Sequence, residues 1–461
     1  MSQVVENKMG TRPVLPLLIS MAIPAMFSML IQALYNIVDS AFVAQLSEGA
    51  LTAVSIAFPI QTLMLAVSIG TSVGINSLVS RRLGEQKHDE AGQAVVQGLF
   101  LMFCSWLVFF VFGVFFARPF ATMFSKSPEI IDMATSYISI VTVFSIFSFY
   151  QIICEKSLQA TGNMIHPMII QLIGAIANII LDPILIFGWF GAPALGVSGA
   201  AIATVAGQAM GMSYGLYILL TKSHAMEISL KGFRVNIKSI KDIYQVGLPS
   251  MVMQSVSSVL VMGLNMILGS FSDTAVAVLG IYYKLQSFVF MPVFGLNQGL
   301  MPILGYNYGA RYRDRIFAAF KYGVMIALCI MTVGTLAFNF IPEVLLQLFK
   351  PTEELIAIGV PALRIISWSF PLAAVSIIIS TVFQAIGRGK FSLYVSLFRQ
   401  LILVLPIAYV MSFLGLNYVW MAFPMAECIA FVISIALYRS VKVNVLDNLV
   451  HDSINVSSEE A

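Results

Sequence analysis

The chain has 461 residues, of which 59% are hydrophobic and only 10% are charged. A soluble globular domain carries about 25% charged residues, so no soluble fold of this length would cover so much apolar surface. The net charge of +3 is less informative than the placement of the basic residues. The four cysteines form no paired motif, which favours packing roles over a disulfide framework or a cysteine metal site.

Apolar segments long enough to cross a bilayer, which takes about 20 residues per helix, recur along the whole chain. The first segment contains polar residues and is too long for a signal peptide, so we expect it to be retained as a helix. The sequence therefore predicts an all-α polytopic membrane protein of about twelve transmembrane helices. The predicted spans are 15–44, 52–80, 92–117, 133–155, 165–188, 198–220, 243–268, 275–306, 317–340, 354–385, 391–413 and 418–438.

The basic residues lie mainly on one side of these spans. The two tails and the loops on that side hold most of the 25 Lys and Arg residues, whereas the opposite side holds Arg118, Lys126 and Lys350. Basic residues accumulate on the cytoplasmic side of membrane proteins. The distribution therefore predicts a multi-pass protein of the inner (plasma) membrane with both termini in the cytoplasm.

A shift of 225 residues overlays much of the chain on itself. The matches include Pro24 with Pro249, Gly74 with Gly299, Gly84 with Gly309, and "QATGN" at 159–163 with "QAIGR" at 384–388. Each copy holds six spans, an even number, so both copies enter the membrane in the same sense. The predicted architecture is two parallel-repeat six-helix bundles, a form typical of transporters that open alternately to either side of a cavity.

The repeat divides the chain into four predicted parts. These are an N-lobe at 1–220, a basic cytoplasmic linker at 221–242, a C-lobe at 243–440 and a cytoplasmic tail at 441–461. The linker is expected to form an amphipathic stretch on the cytoplasmic surface.

Ionisable side chains within bilayer spans cost several kcal/mol, so they are candidate functional residues. Asp39 in the first span follows Tyr35 by four residues, which puts both on one helical face. Asp182 in the fifth span follows Asn178 by the same spacing. Thr204 in the sixth span offers a hydroxyl group.

The carbonyl oxygen of Ile179 is a further candidate ligand. It loses its usual hydrogen-bond partner because Pro183 has no N–H group to donate. A freed carbonyl beside a carboxylate and an amide is suited to a small cation, since such cations prefer oxygen ligands. The same proline and Pro24 in the first span are predicted kink points.

Two carboxylates in a partly dry cavity repel each other when both are ionised. A proton, a sodium ion or a cationic substrate relieves that repulsion, and ligands that compete for one charge deficit are negatively coupled, as exchange requires. The alternative interpretation is that Asp39 and Asp182 only pair with polar neighbours and hold the bundle together.

The second half carries basic residues within its spans. Lys284 or Arg399 either pairs with Glu427 in a structural ion pair, which is the favoured interpretation, or forms a polar site with it that meets an anionic group of the substrate. Glu155 and Lys156 at the end of the fourth span are expected to form a pair at the cytoplasmic edge.

The chain lacks the motifs of an enzyme. It has no G-x-x-x-x-G-K-[ST] loop, no H-E-x-x-H and no G-x-S-x-G, so neither ATP use nor metal-assisted or nucleophilic catalysis is indicated. We expect no cofactor, no metal other than a coupling sodium ion, and no nucleic-acid partner.

Several segments together resemble the multidrug and toxic compound extrusion (MATE) family, closest to its DinF-like and MepA-like bacterial branch. They are "YNIVD" in the first span, "SRRLGE" after the second, "LQATGN" after the fourth, "ANIILDPILI" in the fifth and "LGVSGAAIAT" before the sixth. The seventh span reads "MQSVSSVLVMG" and lacks the glutamate expected of the NorM-like branch, which argues against a cation site of that kind in the C-lobe.

The resemblance implies secondary antiport, in which organic, often cationic and amphipathic compounds leave in exchange for protons or sodium ions. It implies a cation-site role for Asp39, Asn178, Asp182 and Thr204. It also implies a supporting role for Tyr35 and Tyr137. We expect a monomer in the lipid bilayer with a small organic substrate.

Two other functions remain as alternatives. A flippase of a lipid-linked glycan shares the two-half architecture, but it is expected to have extra spans and a strongly cationic cavity. A channel is disfavoured by kinked, polar-centred helices in two matched halves.

Overall fold

The structure, a computed structural model, describes residues 7–221, 226, 228–229 and 233–449, except for the side chains at positions 36, 37, 40, 41 and 44. A first bundle, the N-lobe, contains six long helices, one of them bent. They are α1 (Val14–Ala44), α2 (Glu48–Gly84), α3 (His88–Phe115), α4 (Pro128–Val143 with Ser145–Ala160), α5 (Ile165–Phe187) and α6 (Val197–Thr221).

A second bundle, the C-lobe, repeats this arrangement. Its helices are α7 (Ile237–Gly269), α8 (Asp273–Gly309), α9 (Arg313–Phe340), α10 (Glu353–Ser367 with Phe370–Ala385), α11 (Gly389–Ser412) and α12 (Leu416–Val441). Within the described residues, nine helices are long and apolar enough to cross a bilayer, and the two bent helices α4 and α10 pass the same test as pairs. The glycine-rich α6 packs against α4 and α5 and completes the set of twelve.

All twelve predicted spans therefore correspond to helices, and the predicted fold class is confirmed. Two spans differ from the continuous helices predicted, because α4 bends by 44° at Phe144 and α10 by 48° before Phe370. The helix of the seventh span also begins earlier than predicted, since α7 starts at Ile237. Much of the predicted amphipathic stretch and residues 450–461 of the predicted tail lie outside the described residues.

The repeat is visible in the helix boundaries themselves. The first and last residues of α2 and α8 are related by a shift of 225 residues, as are the last residues of α1 and α7. Helices α2 and α8 also have the same N-cap: the Ser47 side chain accepts a hydrogen bond from the amide of Ala50, and the Ser272 side chain accepts one from the amide of Ala275. A serine at this position satisfies an amide that the helix leaves unpaired, which fixes where each helix begins.

Glycines lie at the contact between the lobes, and those of the first lobe are related to those of the second by the same shift of 225 residues. A Cβ atom on Gly74 of α2 would lie 3.2 Å from the amide nitrogen of Gly247 in α7. A Cβ atom on the equivalent Gly299 of α8 would lie 2.9 Å from the amide nitrogen of Ala22 in α1. Small residues allow helix backbones to approach this closely in a membrane.

The glycine seam is defined by six residues, three in each of α2 and α8: Gly70, Gly74, Gly84, Gly295, Gly299 and Gly309. A Cβ atom on Gly84 would overlap the carbonyl oxygen of Tyr306, and one on Gly309 would overlap that of Arg81. All of these contacts lie in the half of the molecule that carries Asn7 and Leu449, here called the terminus side. The lobes are thus closed against each other on the terminus side.

The two predicted kink prolines lie inside continuous helices. Pro24 is within α1 and Pro183 is within α5, four residues before that helix ends at Phe187. A proline inside a helix removes one hydrogen bond of the ladder, so each site is a weak point at which bending is easy. Their role as kink points stays a prediction.

Candidate functional site

A cavity of about 670 Å³ lies within the N-lobe. Every residue that lines it belongs to the first copy, from Ile31 in α1 to Gln208 in α6. Along α2 the lining extends from Leu51 to Leu65, which corresponds to about 20 Å at 1.5 Å per residue. The cavity therefore runs from the side opposite the termini deep into the lobe, and its walls mix apolar side chains with a few polar ones.

Two predicted cation-site residues, Asn178 of α5 and Thr204 of α6, line one wall of this cavity, and Asp182 lies behind Asn178. Asn178 donates from Nδ2 to Asp182 Oδ1 at 3.3 Å and lies 3.3 Å from Thr204 Oγ1. All three side chains are buried, and Asp182 has no exposed surface. The spacing of four residues on α5 puts the amide and the carboxyl on one face, as the sequence indicated.

Asp39 of α1 meets this group from the opposite helix. Its carboxyl group is close enough to that of Asp182 for the two charges to repel each other, and Tyr35 one turn earlier lies beside Thr204. Oxygen atoms of Asp39, Asn178 and Asp182 are buried without a hydrogen-bond partner. Unpartnered buried acceptors are rare in proteins, and here three of them lie close together.

Tyr137 closes the same part of the cavity from α4. Its hydroxyl accepts a hydrogen bond from Gln61 Nε2 of α2 at 3.3 Å, and its ring is 2% exposed. Pro183 follows Asp182 within the helix, so the carbonyl of Ile179 has no amide to accept from at that position. The structure thus brings together all six residues to which the sequence gave a cation-site or supporting role.

The deep end of the cavity contains a second acidic group that the sequence interpretation did not place there. Glu155 of α4 lines the cavity and accepts hydrogen bonds from Gln151 Nε2 at 3.1 Å and from Gln171 Nε2 at 3.2 Å. Its neighbour Lys156 points away, donating to Gln159 Oε1 and to Gln298 Oε1 of the C-lobe. The expected edge pair is therefore split between the cavity and the lobe interface.

The C-lobe carries its charges differently. Arg399 Nε lies 3.3 Å from Glu427 Oε2, with both side chains largely buried, and Arg399 falls in a short π-helical turn of α11 at Phe398–Ile402. Lys284 is separate from this pair, because its ammonium group lies 5.8 Å from the centre of the Phe349 ring. Of the three predicted C-lobe polar residues, the structure brings two together and leaves the third apart.

Relatives of the chain were identified by sequence. The MatE family model matches residues 24–184 and 249–410, one segment in each lobe. A FAD transporter of Shewanella oneidensis is 25% identical over 419 residues, which cover 90% of this chain and 92% of that protein. Multidrug export protein MepA of Staphylococcus aureus is 23% identical over 421 residues, which cover 90% and 91% of the two chains.

Solved structures agree with this assignment. A structure described as the outward-facing conformation of a multidrug resistance MATE family transporter of the MOP superfamily superposes with a TM-score of 0.87 and 25% identity, covering 95% of this chain and 99% of that one. A MATE structure in complex with MaL6 superposes with a TM-score of 0.89 and 24% identity, covering 97% and 99%, and shows the shared fold. The family model covers most of both lobes, and the chain therefore belongs to the MATE family of membrane transporters, which are not enzymes.

Proposed function

We propose that this chain is a secondary antiporter that exports amphipathic organic cations in exchange for protons or sodium ions. The observation that carries the proposal is the group of unpartnered carboxyl and amide oxygens of Asp39, Asn178 and Asp182 beside a cavity of substrate size. The coupling ion would bind at these oxygens, and no cofactor is required.

The charge of this group supplies the coupling. Asp39 and Asp182 lie close enough that both cannot be ionised cheaply without a cation or a shared proton between them. A proton or a sodium ion satisfies the pair, and a cationic substrate in the cavity beside Asp39 relieves the same charge. Each ligand therefore weakens binding of the other, which is the negative coupling that exchange needs.

The closed and open sides of the molecule support alternating access. The glycine seam closes the terminus side, whereas the cavity extends toward the opposite end of α2 at Leu51. With both termini in the cytoplasm, as the basic residues predict, this arrangement is the outward-open state. Separation of the lobes at the seam, together with closure at the other end, would expose the same site to the cytoplasm.

The cavity chemistry favours a cationic substrate over an anionic one. Among the described residues that line it are the acids Asp39 and Glu155, and there is no lysine or arginine. Multidrug export, the activity named for MepA, fits such a site. A dinucleotide such as FAD, named for the Shewanella relative, or the diphosphate of a lipid-linked glycan would instead meet repulsion from these carboxylates.

The test is exchange in proteoliposomes under an imposed proton or sodium gradient, one at a time, with a fluorescent organic cation as the substrate. We expect efflux under at least one gradient, and Asp39→Asn should reduce it to the rate of protein-free liposomes. The matched control is Asp132→Asn, which removes an exposed carboxylate paired with Arg118 outside the cavity and should leave the rate unchanged.

Wild-type rates in Asp39→Asn vesicles, with equal amounts of inserted protein, would rule out the coupling role of the acidic group. A cation current that persists without counter-transport would instead identify a channel.

A further inference from the structure

The deep end of the N-lobe cavity holds a carboxylate that the coupling mechanism does not use. Glu155 is 4% exposed, and its two oxygens each accept from a neutral amide, Oε1 from Gln151 and Oε2 from Gln171. Amide N–H groups orient a carboxylate without neutralising its charge. Burying such a group is costly unless a cation compensates for it.

Lys156 gives only part of that compensation. Its ammonium group interacts electrostatically with Glu155, but its hydrogen bonds go to Gln159 at 2.9 Å and to Gln298 at 3.0 Å. Lys156 is also absent from the cavity lining, while Glu155 is part of it. The cavity therefore meets the carboxylate and not the ammonium group.

A second observation in the same place also indicates a ligand. The Oε1 atom of Gln171 is buried without a hydrogen-bond partner, although the Nε2 atom of the same side chain is held by Glu155. A carboxylate and an unsatisfied amide oxygen thus lie side by side at the closed end of a cavity. Together they can accept two hydrogen bonds from one donor group.

This deep subsite is distinct from the coupling site. Gln171 and Asn178 are seven residues apart on α5, so they share a face and are separated by about 10 Å along the helix. Gly174 lies between them and also lines the cavity, so both groups belong to the same cavity. A cationic head at Glu155 lies in the same cavity as Asp39, so its charge still weakens binding of the coupling ion at the other end.

We propose that Glu155, oriented by Gln151 and Gln171, binds the cationic head of the substrate and selects heads that carry N–H groups. An ammonium or amidinium group donates to the Glu155 carboxylate and to the free Gln171 oxygen, whereas a quaternary ammonium group donates to neither. The apolar walls beside Ile152 and Val141 receive the rest of the molecule. This inference names the substrate class of the proposed antiporter and rests on that proposal.

The test is equilibrium binding to the purified full chain in nanodiscs, which needs no ion gradient and so does not depend on coupling. The probes are dansyl-hexylammonium and its N,N,N-trimethyl derivative, which share a fluorophore, chain and charge and differ in their N–H groups. We expect the wild type to prefer the ammonium probe by about tenfold, the size of one charge-assisted hydrogen bond. Glu155→Gln should abolish the preference.

Three further variants keep the proposal falsifiable. Gln171→Met retains the carboxylate and removes the free oxygen, so it should reduce the preference while binding of the trimethyl probe stays within about twofold. Glu129→Gln removes an exposed carboxylate outside the cavity and should change neither affinity. Asp39→Asn should abolish exchange but keep the preference.

Two results would overturn the inference. One is a preference for the ammonium probe that survives Glu155→Gln, and the other is a preference that disappears in Asp39→Asn instead. Because Asp39→Asn also reports on ion-driven exchange, failure of the antiport proposal would be seen separately, in proteoliposomes and not in nanodisc binding.

Discussion

The two lobes build the same helices from different residues at equivalent points. Positions related by the shift of 225 pair Asp39 with Leu264, Tyr35 with Leu260 and Tyr137 with Ala362. In the fifth span the match drifts by two residues, so that "LDPI" at 181–184 meets "VLPI" at 404–407 and Asp182 pairs with Leu405. Leu260, Leu264 and Ala362 are buried in the C-lobe. Since the second copy forms these helices with apolar residues, the fold itself does not need the buried carboxylates of the first, which argues that they serve transport rather than packing.

The largest expected effect comes from making the first copy like the second at one position. Asp39→Leu introduces the residue found at Leu264 and should reduce gradient-driven exchange to the protein-free background. Its thermal midpoint should stay equal or rise, because replacing a buried charge by an apolar group is often neutral or stabilising. Leu264→Met serves as the matched control in the C-lobe, and retained exchange in Asp39→Leu would contradict the comparison.

The Arg399–Glu427 pair should show the reverse behaviour. Glu427→Gln leaves the Arg399 guanidinium buried without its partner and should cost about 3–5 kcal/mol of stability. Exchange by the protein that remains folded should stay near the wild-type rate. The double variant Arg399→Met with Glu427→Met should recover the thermal midpoint, measured in the same detergent. Loss of exchange in that stable double variant would assign the C-lobe pair to transport.

The glycine seam should behave equally in both lobes. Gly74→Ala and Gly299→Ala each place a methyl group against the backbone of the facing helix, so each should hold the terminus side apart and reduce exchange by about tenfold. Spin-label distances across the seam would measure the separation. Effects that differ strongly between the two variants would show that the pseudosymmetry of the contact has no functional counterpart.

The smallest effect concerns Glu85, which lies beyond the end of α2 on the terminus side. Burial raises the pKa of this carboxyl. Hydrogen bonds from Arg82 at 2.6 Å and from Lys87 at 3.0 Å lower the pKa by a larger amount, so the net shift is downward from 4.5. Because its pKa is lower in the folded chain than in the unfolded chain, this carboxyl stabilises the fold at pH values above the unfolded-state pKa. That stabilisation is lost as the pH falls through the folded-state pKa.

Arg82→Met should therefore lower the thermal midpoint slightly at pH 7, by the equivalent of about 1 kcal/mol or less for partly exposed ion pairs. The difference from the wild type should shrink below about pH 4. A difference that grows on acidification would contradict this sign.

Much of the fold could be predicted from the sequence because its determinants are local. Apolar segments of bilayer length predicted all twelve helices, and the shift of 225 predicted the repeat. The break at Phe144 was missed because neither proline nor glycine marks it. The π-helical turn at Phe398–Ile402 was missed as well. It contains Arg399, which pairs with Glu427 of another helix, so the turn depends on tertiary packing and not on local sequence.

The candidate site divides in the same way. Asp39 and Asp182 stood out because charge is rare inside apolar spans, and their helical neighbours followed from the spacing of four. Gln151 precedes Glu155 by that same spacing, which was a visible signal of a shared polar face. The direction of Lys156 was not predictable, because its partner Gln298 lies 142 residues away in the other lobe.

The confinement of the cavity to one copy has a consequence for how such a protein can change over generations. Among the described residues, none of the cavity wall comes from the C-lobe, and the glycine seam lies outside that wall. Substitutions that alter what is carried can accumulate in the first copy without disturbing the surfaces on which movement depends. Selection on the second copy can then act on the movement of the lobes alone. The range of transported compounds can change while the surfaces that move stay the same.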